Sequence, residues 1–167
     1  MMAKGKAISG TPFRDAGHDH GTCIHDALER AAQICTREGA RLTALRRDVL
    51  GLIWRGHTPV GAYAVLDELK RHHHGAAPAT VYRSLDFLIH HGLIHRISSR
   101  NAYVGCSQPE RKHVSQFLIC DKCSAAAEFE DEDILDRIEA RADALGFALQ
   151  SQTIELSGLC PQCRVTS

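Results

Sequence analysis

The sequence predicts an α+β fold, with an N-terminal winged helix-turn-helix domain followed by a small C-terminal α/β domain. Apolar residues recur at helical spacing through the first half of the chain and then give way to a short hairpin pattern. Two C-x-x-C pairs, in ICDKC and GLCPQC, bracket a second region where strand and helix patterns alternate. The 167 residues suffice for one compact domain or two small ones.

Four helical segments precede the hairpin. The first runs from about Cys23 to Arg37, and the second follows Thr43, whose hydroxyl suits an N-cap. The third is GAYAVLDELKRH, and the fourth lies between Pro78 and Gly92, residues that favour a helix start and a helix end. We expect their apolar stripes to share one core. The expected core positions are Ile24, Ala27, Leu28, Ala31, Ile34, Cys35, Leu45, Val49, Leu52, Ile53, Ala62, Val65, Leu66, Leu69, Val81, Leu85, Leu88 and Ile89.

After the fourth helix the apolar period becomes that of a strand. Residues 93–97 and 102–105 flank the turn SSRN and predict a β-hairpin. Helices followed by such a wing form a winged helix-turn-helix, an arrangement that binds DNA. The fourth helix is then the recognition helix, and Thr80, Tyr82 and Arg83 lie away from its apolar stripe.

The C-terminal region predicts three strands and one helix. The strands QFLIC and AAAEFE are joined at the first cysteine pair, and the strand FALQSQTIEL leads into the second. Between them DILDRIEARADALG is strongly periodic, and we expect its apolar side to face inward. So small a core needs a metal or a partner chain. The inward positions are Ile134, Leu135, Ile138, Ala142 and Leu145.

The charge of the chain is unevenly distributed. Residues 1–100 carry 14 Lys and Arg against 9 Asp and Glu, a net charge of +5. Residues 101–167 carry 6 against 11, a net charge of −5. A basic front half indicates a polyanion such as nucleic acid, although the excess is modest.

Composition places the protein in a reducing compartment. No apolar run approaches the roughly 20 residues of a membrane span. Residues 1–21 lack the apolar stretch of a secretory signal, so we expect a flexible tail, a cytoplasmic protein and no membrane partner. In the cytoplasm, seven cysteines and eleven histidines are better explained by metal binding than by disulfides.

The two C-x-x-C pairs have the spacing of a zinc site. Cys120, Cys123, Cys160 and Cys163 supply four sulfurs, which complete a tetrahedral shell and leave no open position. Such a site is structural. The alternative is a thioredoxin-like redox pair, but that motif has a single C-x-x-C at the start of a helix.

Other candidate chemistry is weaker. The sequence shows no nucleophile–base pair, no phosphate-binding glycine loop and no metal site with an open position, so we expect a protein that is not an enzyme. Two histidine-rich tracts remain open as sites of weak metal binding or as polar surface. They are His18, His20, Cys23 and His25, and His72, His73 and His74.

Several segments together resemble the ferric-uptake-regulator superfamily, and within it the zinc uptake regulators. The segments are RLTALRRDVL, ATVYRSLDFLIHHGLIHRI, YVGC, ICDKC and GLCPQC, over about residues 23–163. The resemblance implies a homodimeric, metal-dependent transcriptional repressor with a C-terminal dimerisation domain and an AT-rich inverted repeat of double-stranded DNA as its operator. We therefore divide the chain into a tail (1–21), a winged-helix domain (22–106), a hinge (107–115) and a dimerisation domain (116–167).

The resemblance also implies two zinc ions per chain, one structural at the four cysteines and one regulatory. The regulatory site of the family has a His, a Cys, a second His and a Glu, which match His95, Cys106, His113 and Glu128. One sulfur, two imidazoles and a carboxylate suit tetrahedral zinc. Because its ligands come from both domains, an ion there would fix the angle between them and act as the sensor.

For DNA, the Tyr and Arg of the family's recognition helix match Tyr82 and Arg83. We expect Arg83 to contact a guanine and Tyr82 a thymine methyl group. Basic side chains elsewhere would contact phosphates and fix the register without reading the sequence. These are Arg41, Arg46, Arg47 and Lys70.

The chain departs from the family at two positions of interest. Its hinge keeps only His113 where ferric uptake regulators have a His-rich run, which argues against iron. Ser124 replaces a common glycine after the first cysteine pair, so we expect that turn not to need a positive φ.

Alternative functions are a metal-dependent peroxide or iron sensor of the same superfamily, and a zinc-buffering protein without a DNA target.

Overall fold

The computed structural model describes residues 9–10, 13, 19–111 and 113–165. In these ranges no helix is both long and apolar enough to cross a membrane. The helices are α1 (His20–Arg37), α2 (Ala44–Ile53), α3 (Ala62–Lys70), α4 (Pro78–His90), α5 (Glu132–Ala144) and α6 (Pro161–Arg164). The strands are β1 (Ser9–Gly10), β2 (Val60–Gly61), β3 (Ile94–Ile97), β4 (Ala102–Gly105), β5 (Gln116–Cys120), β6 (Ala126–Glu130) and β7 (Ile154–Gly158).

The N-terminal part is a winged helix-turn-helix, as the sequence predicts. Helices α1 to α4 share one apolar core, and β3 and β4 form the wing, which β2 extends in the order β2-β4-β3. The Thr43 hydroxyl caps α2 by accepting a hydrogen bond from the Arg46 amide at 3.4 Å. Pro78 begins α4, and Gly92, at φ +66°, follows its end.

The recognition helix α4 packs slightly differently from the prediction. Ile89 was expected in the core but is 38% exposed, whereas Ser84 is buried and donates its hydroxyl to the Thr80 carbonyl at 2.9 Å. The hydroxyl can be buried because this bond satisfies it. Phe87 is off the apolar stripe and is covered by Arg46, whose guanidinium carbon lies 3.5 Å from the ring centroid.

The C-terminal part is a sheet in the order β1-β6-β5-β7 with α5 in the crossover. Strands β5 and β6 pair antiparallel, as predicted, through the turn that holds the first cysteine pair. Strand β7 pairs parallel with β5, with Gln116 opposite Ile154. It begins at Ile154 rather than at Phe147, and residues 147–153 have no regular structure.

The expectation that the apolar side of α5 faces inward holds only in part, because Leu135 and Ala142 are half-buried while the other three positions are exposed. In α5, Ile134 and Ile138 are each 37% exposed, and the adjoining Leu145 is 77% exposed. Phe147, whose amide donates to the Ala142 carbonyl at the end of α5, is 61% exposed. Leu156 in β7 is also exposed, by 47%. The periodicity of α5 therefore marks a face that one chain leaves uncovered, as is typical of a protein–protein interface.

The two parts touch directly. Ile97 of the wing packs with Phe117 and Ile119 of β5 in a small apolar cluster. Trp54 lies so close over the Gly105 backbone that a Cβ there would be 2.1 Å from its ring, so only glycine fits. The predicted tail falls mostly outside the described residues, but β1 pairs with β6, and α1 starts within the range assigned to the tail.

Candidate metal centres

The structure brings together both predicted sets of metal ligands. Within each set, one ligand atom per residue lies within 4.8 Å of all the others. One set is Cys120, Cys123, Cys160 and Cys163, and the other is His95, Cys106, His113 and Glu128.

The four-cysteine set lies at one end of the C-terminal sheet. Cys120 ends β5, Cys123 is in the following turn, and Cys160 and Cys163 lie at the start of α6 and within it. Cys123 Sγ and Cys160 Sγ are 3.7 Å apart. Zinc–sulfur bonds of about 2.3 Å place tetrahedral sulfurs roughly 3.8 Å apart, so the spacing fits zinc.

Backbone amides orient these sulfurs. The Cys160 amide donates to Cys120 Sγ and the Cys163 amide to Cys160 Sγ, each at 3.4 Å. Hydrogen bonds from the backbone of Cys160 and Cys123 lower the pKa of Cys120 to about 6. The hydrogen bond with Cys160, together with burial, raises the pKa of Cys163 to about 12. Because the Cys160 side chain and burial raise the pKa of Cys163, metal binding must displace the proton of that thiol.

The turn between the cysteines corrects one expectation. Ser124 has φ +61°, although the serine at this position led us to expect a turn that does not need a positive φ. Its amide donates to the Cys120 carbonyl at 2.9 Å, which closes the turn around the sulfurs. The left-handed conformation costs about 1–2 kcal/mol in a residue with a Cβ, so here the turn geometry outweighs the local preference.

The second set lies where the two domains meet. His95 is in β3, Cys106 directly follows β4, His113 is in the connector and Glu128 is in β6. Glu128 Oε1 lies 3.0 Å from His95 Nε2 and 2.9 Å from His113 Nε2, and Cys106 Sγ lies 3.7 Å from His113 Nε2. Tetrahedral zinc with bonds of 2.0–2.3 Å separates its ligands by roughly 3.3–3.8 Å. The donors therefore fit zinc with small adjustments.

Neighbouring groups fix the orientation of these ligands. Ser107 donates its amide (3.0 Å) and its hydroxyl (2.7 Å) to Glu128 Oε2, which leaves Oε1 facing the histidines. His113 Nδ1 donates to the Arg111 carbonyl at 2.9 Å and leaves Nε2 for the site. Ser115 Oγ lies against the edge of the His95 ring, 3.0 Å from Nδ1 and 3.2 Å from Nε2. Sequence reasoning missed these supporting residues because nothing in their spacing distinguishes them.

The electrostatics of the site favour a cation. Burial, and then the nearby Glu128 charge, raise the pKa of Cys106 well above its usual range. Burial opposes the ionisation of Glu128, but hydrogen bonds from His95 and Ser107 outweigh it and hold the pKa of that carboxyl low. Burial likewise opposes protonation of His113, yet the Arg111 carbonyl and Glu128 raise its pKa. The result is a buried, ionised carboxylate that accepts hydrogen bonds from its neighbours, and its negative charge favours a cation at this site.

The residues expected to contact DNA lie largely on the surface. Tyr82 is 40% exposed, Arg83 is exposed and Thr80 is half-buried. Arg46 instead packs on the recognition helix and donates to the Arg41 carbonyl at 2.6 Å. The remaining exposed basic side chains of the set are Arg41, Arg47 and Lys70.

The histidine tracts do not gather three ligand atoms within the described residues. The rings of His20 and His57 are 5.1 Å apart, and His73 Nε2 lies 2.7 Å from Asp48 Oδ2. His18 is outside the described residues, so the first tract stays untested as a metal site.

A winged helix joined to an α/β unit, with one ligand cluster inside a domain and another between domains, defines a two-domain winged-helix protein equipped to bind metal. Comparison with known families makes this more specific. The Ferric uptake regulator family matches residues 37–157, and the chain belongs to this family.

The chain is similar to zinc uptake regulation proteins. It is 39% identical over 145 residues to that of Escherichia coli (strain K12), which covers 85% of this chain and 84% of the relative. It is 30% identical over 129 residues to that of Mycobacterium tuberculosis (strain ATCC 25618 / H37Rv), covering 75% and 96%.

Solved structures agree. A zinc uptake regulator complexed with zinc and DNA has a TM-score of 0.82 and 38% identity, covering 86% of this chain and 96% of that chain. The crystal structure of holo XcZur has a TM-score of 0.77 and 44% identity, covering 84% and 98%.

Proposed function

We propose that the chain is a zinc-responsive transcriptional repressor of zinc-uptake genes, acting as a homodimer. The observation that carries the proposal is the convergence of His95, Cys106, His113 and Glu128 from the wing, the connector and the C-terminal sheet. The similar zinc uptake regulation proteins support zinc as the metal and DNA as the target.

Each chain would hold two zinc ions with different roles. Cys120, Cys123, Cys160 and Cys163 would hold a structural ion, since all four lie in one domain. The inter-domain set would hold the regulatory ion, which supplies four metal–ligand bonds that span the domains. Ser107, Arg111 and Ser115 keep those ligands oriented, as hydrogen-bonded partners of metal ligands commonly do.

The switch follows from which parts the ligands belong to. His95 is on the wing, and the wing continues directly from the recognition helix, so the position of His95 is tied to the orientation of α4. Glu128 belongs to the sheet of the other domain. Joining the two selects one inter-domain angle from those that the metal-free chain samples. In a dimer, that angle sets the distance between two recognition helices, which must match successive major grooves.

The exposed apolar side of α5 is the proposed dimerisation surface. Ile134, Ile138 and Leu145 lie on it, and the exposed Phe147 follows two residues after Leu145. A second chain would cover these side chains and supply the burial that the small C-terminal core lacks.

On DNA, Arg83 would contact a guanine, Tyr82 a thymine methyl group and Thr80 the adjoining backbone. The operator would be an AT-rich inverted repeat, with Arg41, Arg47 and Lys70 at phosphates. Arg46 would act at least partly through Phe87, by holding α2 against the recognition helix. We keep the domain limits as a proposal: a tail (1–21), a winged-helix domain (22–106), a hinge (107–115) and a dimerisation domain (116–167), with helix α1 itself beginning at His20.

The test is zinc content per chain, measured with DNA binding before and after a mild chelator. The DNA is a duplex selected from a random library by the zinc-loaded protein. We expect about two zinc ions per chain to fall to one while DNA binding is reversibly lost. A single ion throughout, with DNA binding that ignores the chelator, would instead define a winged-helix protein with a purely structural zinc.

The same DNA-binding assay, repeated with added iron, hydrogen peroxide or salt, separates the alternative functions. An iron or peroxide sensor would respond to iron or to hydrogen peroxide at fixed zinc, which we do not expect with a cysteine in the regulatory set. A zinc-buffering protein would bind zinc without any salt-dependent binding to the selected duplex.

A further inference from the structure

The turn at the tip of the wing is held by two carboxylates of the other domain. Glu155 accepts hydrogen bonds from the amides of Ser98 and Ser99, at 2.7 Å and 2.9 Å, one on each carboxylate oxygen. Arg100, next in the chain, donates Nη2 to Asp121 Oδ1 at 2.5 Å. Three successive residues of the turn are therefore bonded to the C-terminal domain.

These carboxylates lie at well-defined points of that domain. Glu155 is in β7 opposite Phe117 of β5, and the Phe117 ring lies 5.5 Å from the ring of His95. Asp121 lies between Cys120 and Cys123, in the turn that the four-cysteine cluster closes. Glu155 and Glu128 are both in register with Phe117, on the two strands that flank β5. The contacts thus tie the wing turn to β7 and to the turn of the first cysteine pair.

We propose that Glu155 and Asp121 are positioning residues that dock the wing turn on the C-terminal domain and so align His95 for the regulatory zinc, and that the wing turn itself takes no part in DNA binding. The DNA part of this inference rests on the proposed function. The contact between the wing and the C-terminal domain does not.

The chemistry of the turn favours docking over phosphate binding. Amides of a short turn and an arginine are groups that a DNA phosphate would otherwise take. Here Glu155 occupies both amides and Asp121 neutralises Arg100. A phosphate approaching the turn would meet two carboxylates and be repelled.

Docking the turn also restricts the ligand behind it. His95 is in β3, three residues before Ser98, which begins the turn that follows this strand, so movement of the turn moves the imidazole. Ile97, between His95 and Ser98, is fully buried against Phe117 and anchors the end of β3 on the C-terminal sheet. Loss of the docking contacts should therefore weaken zinc binding without removing any ligand.

The first test is amide hydrogen exchange in the zinc-loaded, full-length protein without DNA. In Glu155→Gln we expect the amides of Ser98 and Ser99 to exchange at least about tenfold faster, because a charged acceptor is lost. The matched control is Asp26→Asn, which removes an exposed carboxylate on α1 and should leave both rates unchanged. Unchanged rates in Glu155→Gln would overturn the docking contact, whatever the protein does on DNA.

The second test separates docking from DNA binding, using Arg100→Gln on the selected duplex over a range of salt and zinc concentrations. We expect an unchanged salt slope and about a tenfold rise in the zinc needed for half-maximal DNA binding. A slope smaller by about 0.9 would assign Arg100 to a phosphate and overturn the proposal. So would an unchanged zinc requirement. If the wild-type protein shows no zinc-dependent DNA binding, the proposed function fails while the exchange result stands.

Discussion

The two ligand clusters differ in how far their support reaches through the fold. The four cysteines lie within one domain, and the sulfurs of Cys120 and Cys160 accept hydrogen bonds from backbone amides of the second cysteine pair. The inter-domain cluster draws on the wing, the connector and the sheet, and side chains such as Ser107 and Ser115 orient it. A metal in the first cluster can only stabilise a domain, whereas a metal in the second can report on the arrangement of two.

The difference should be largest for Cys160→Ser. Removing one sulfur opens the closed cluster, and the small C-terminal unit loses most of a zinc contribution that is about 10–16 kcal/mol in structural sites. We expect that unit to unfold and the bound zinc to fall by about one per chain, as measured by circular dichroism and metal analysis. Cys35→Ala, at a buried cysteine outside both clusters, is the control and should keep its zinc. A folded, fully active Cys160→Ser protein would contradict the structural role.

Cys106→Ser should abolish zinc-dependent DNA binding and leave a folded dimer with one zinc per chain. We expect DNA affinity at saturating zinc to fall at least about 100-fold, because one of the four regulatory ligands is gone. Binding to the selected duplex and the oligomeric state are the measurements. Cys35→Ala, at a buried cysteine of the helical core, should keep the zinc response. If Cys106→Ser misfolds in the same way as Cys160→Ser, the two clusters do not have separate roles.

Ser107→Ala should have a smaller effect on the regulatory cluster alone. The variant keeps the hydrogen bond from the amide of residue 107 to the Glu128 carboxylate. It loses the 2.7 Å hydrogen bond from the hydroxyl, which helps to fix that carboxylate. Loss of such a supporting bond weakens metal binding by about 10–100-fold. Chelator competition should show the weaker site in Ser107→Ala and wild-type affinity in Ser151→Ala, an exposed serine. Equal zinc affinities in the wild type, Ser107→Ala and Ser151→Ala would show that the Ser107 hydroxyl does not support Glu128 as a ligand.

A pH titration should show a graded difference. Burial and Glu128 raise the pKa of Cys106, so its thiol is protonated in the metal-free protein and must lose that proton when zinc binds. Zinc affinity at this site should therefore fall about tenfold for each unit of decreasing pH, and more steeply once His113 is protonated as well. Chelator competition between about pH 8 and pH 6 measures the slope. A flat profile would mean that Cys106 is already ionised without metal.

Local patterns predicted the helices, the wing and the positions of the cysteine pairs, because each depends on neighbours in sequence. The four-cysteine set follows from spacing alone, and the inter-domain set required the family resemblance because its members are scattered. The structure brings both sets together as predicted. Whether they hold zinc in the assigned roles remains a prediction.

Features that depend on distant contacts were not visible in the sequence. The periodicity of α5 predicts a core stripe, because periodicity does not distinguish a face buried in the chain from one covered by another chain. Ser124 takes a left-handed conformation because the cysteine turn imposes it. The supporting roles of Ser107 and Ser115, and the grip of Glu155 on the wing, arise only when the domains meet.

The parallel pairing of β5 with β7 also sets an order of folding for the C-terminal unit. The β5–β6 hairpin joins residues close in sequence and can form early, while β7 must return across α5 before it can pair. Contacts between distant parts of a chain form slowly, because a long loop has to close first. The second cysteine pair arrives with β7, so metal capture would be the last step of folding in this unit. Until β7 pairs, the folded hairpin would present only two of the four sulfurs, those of Cys120 and Cys123.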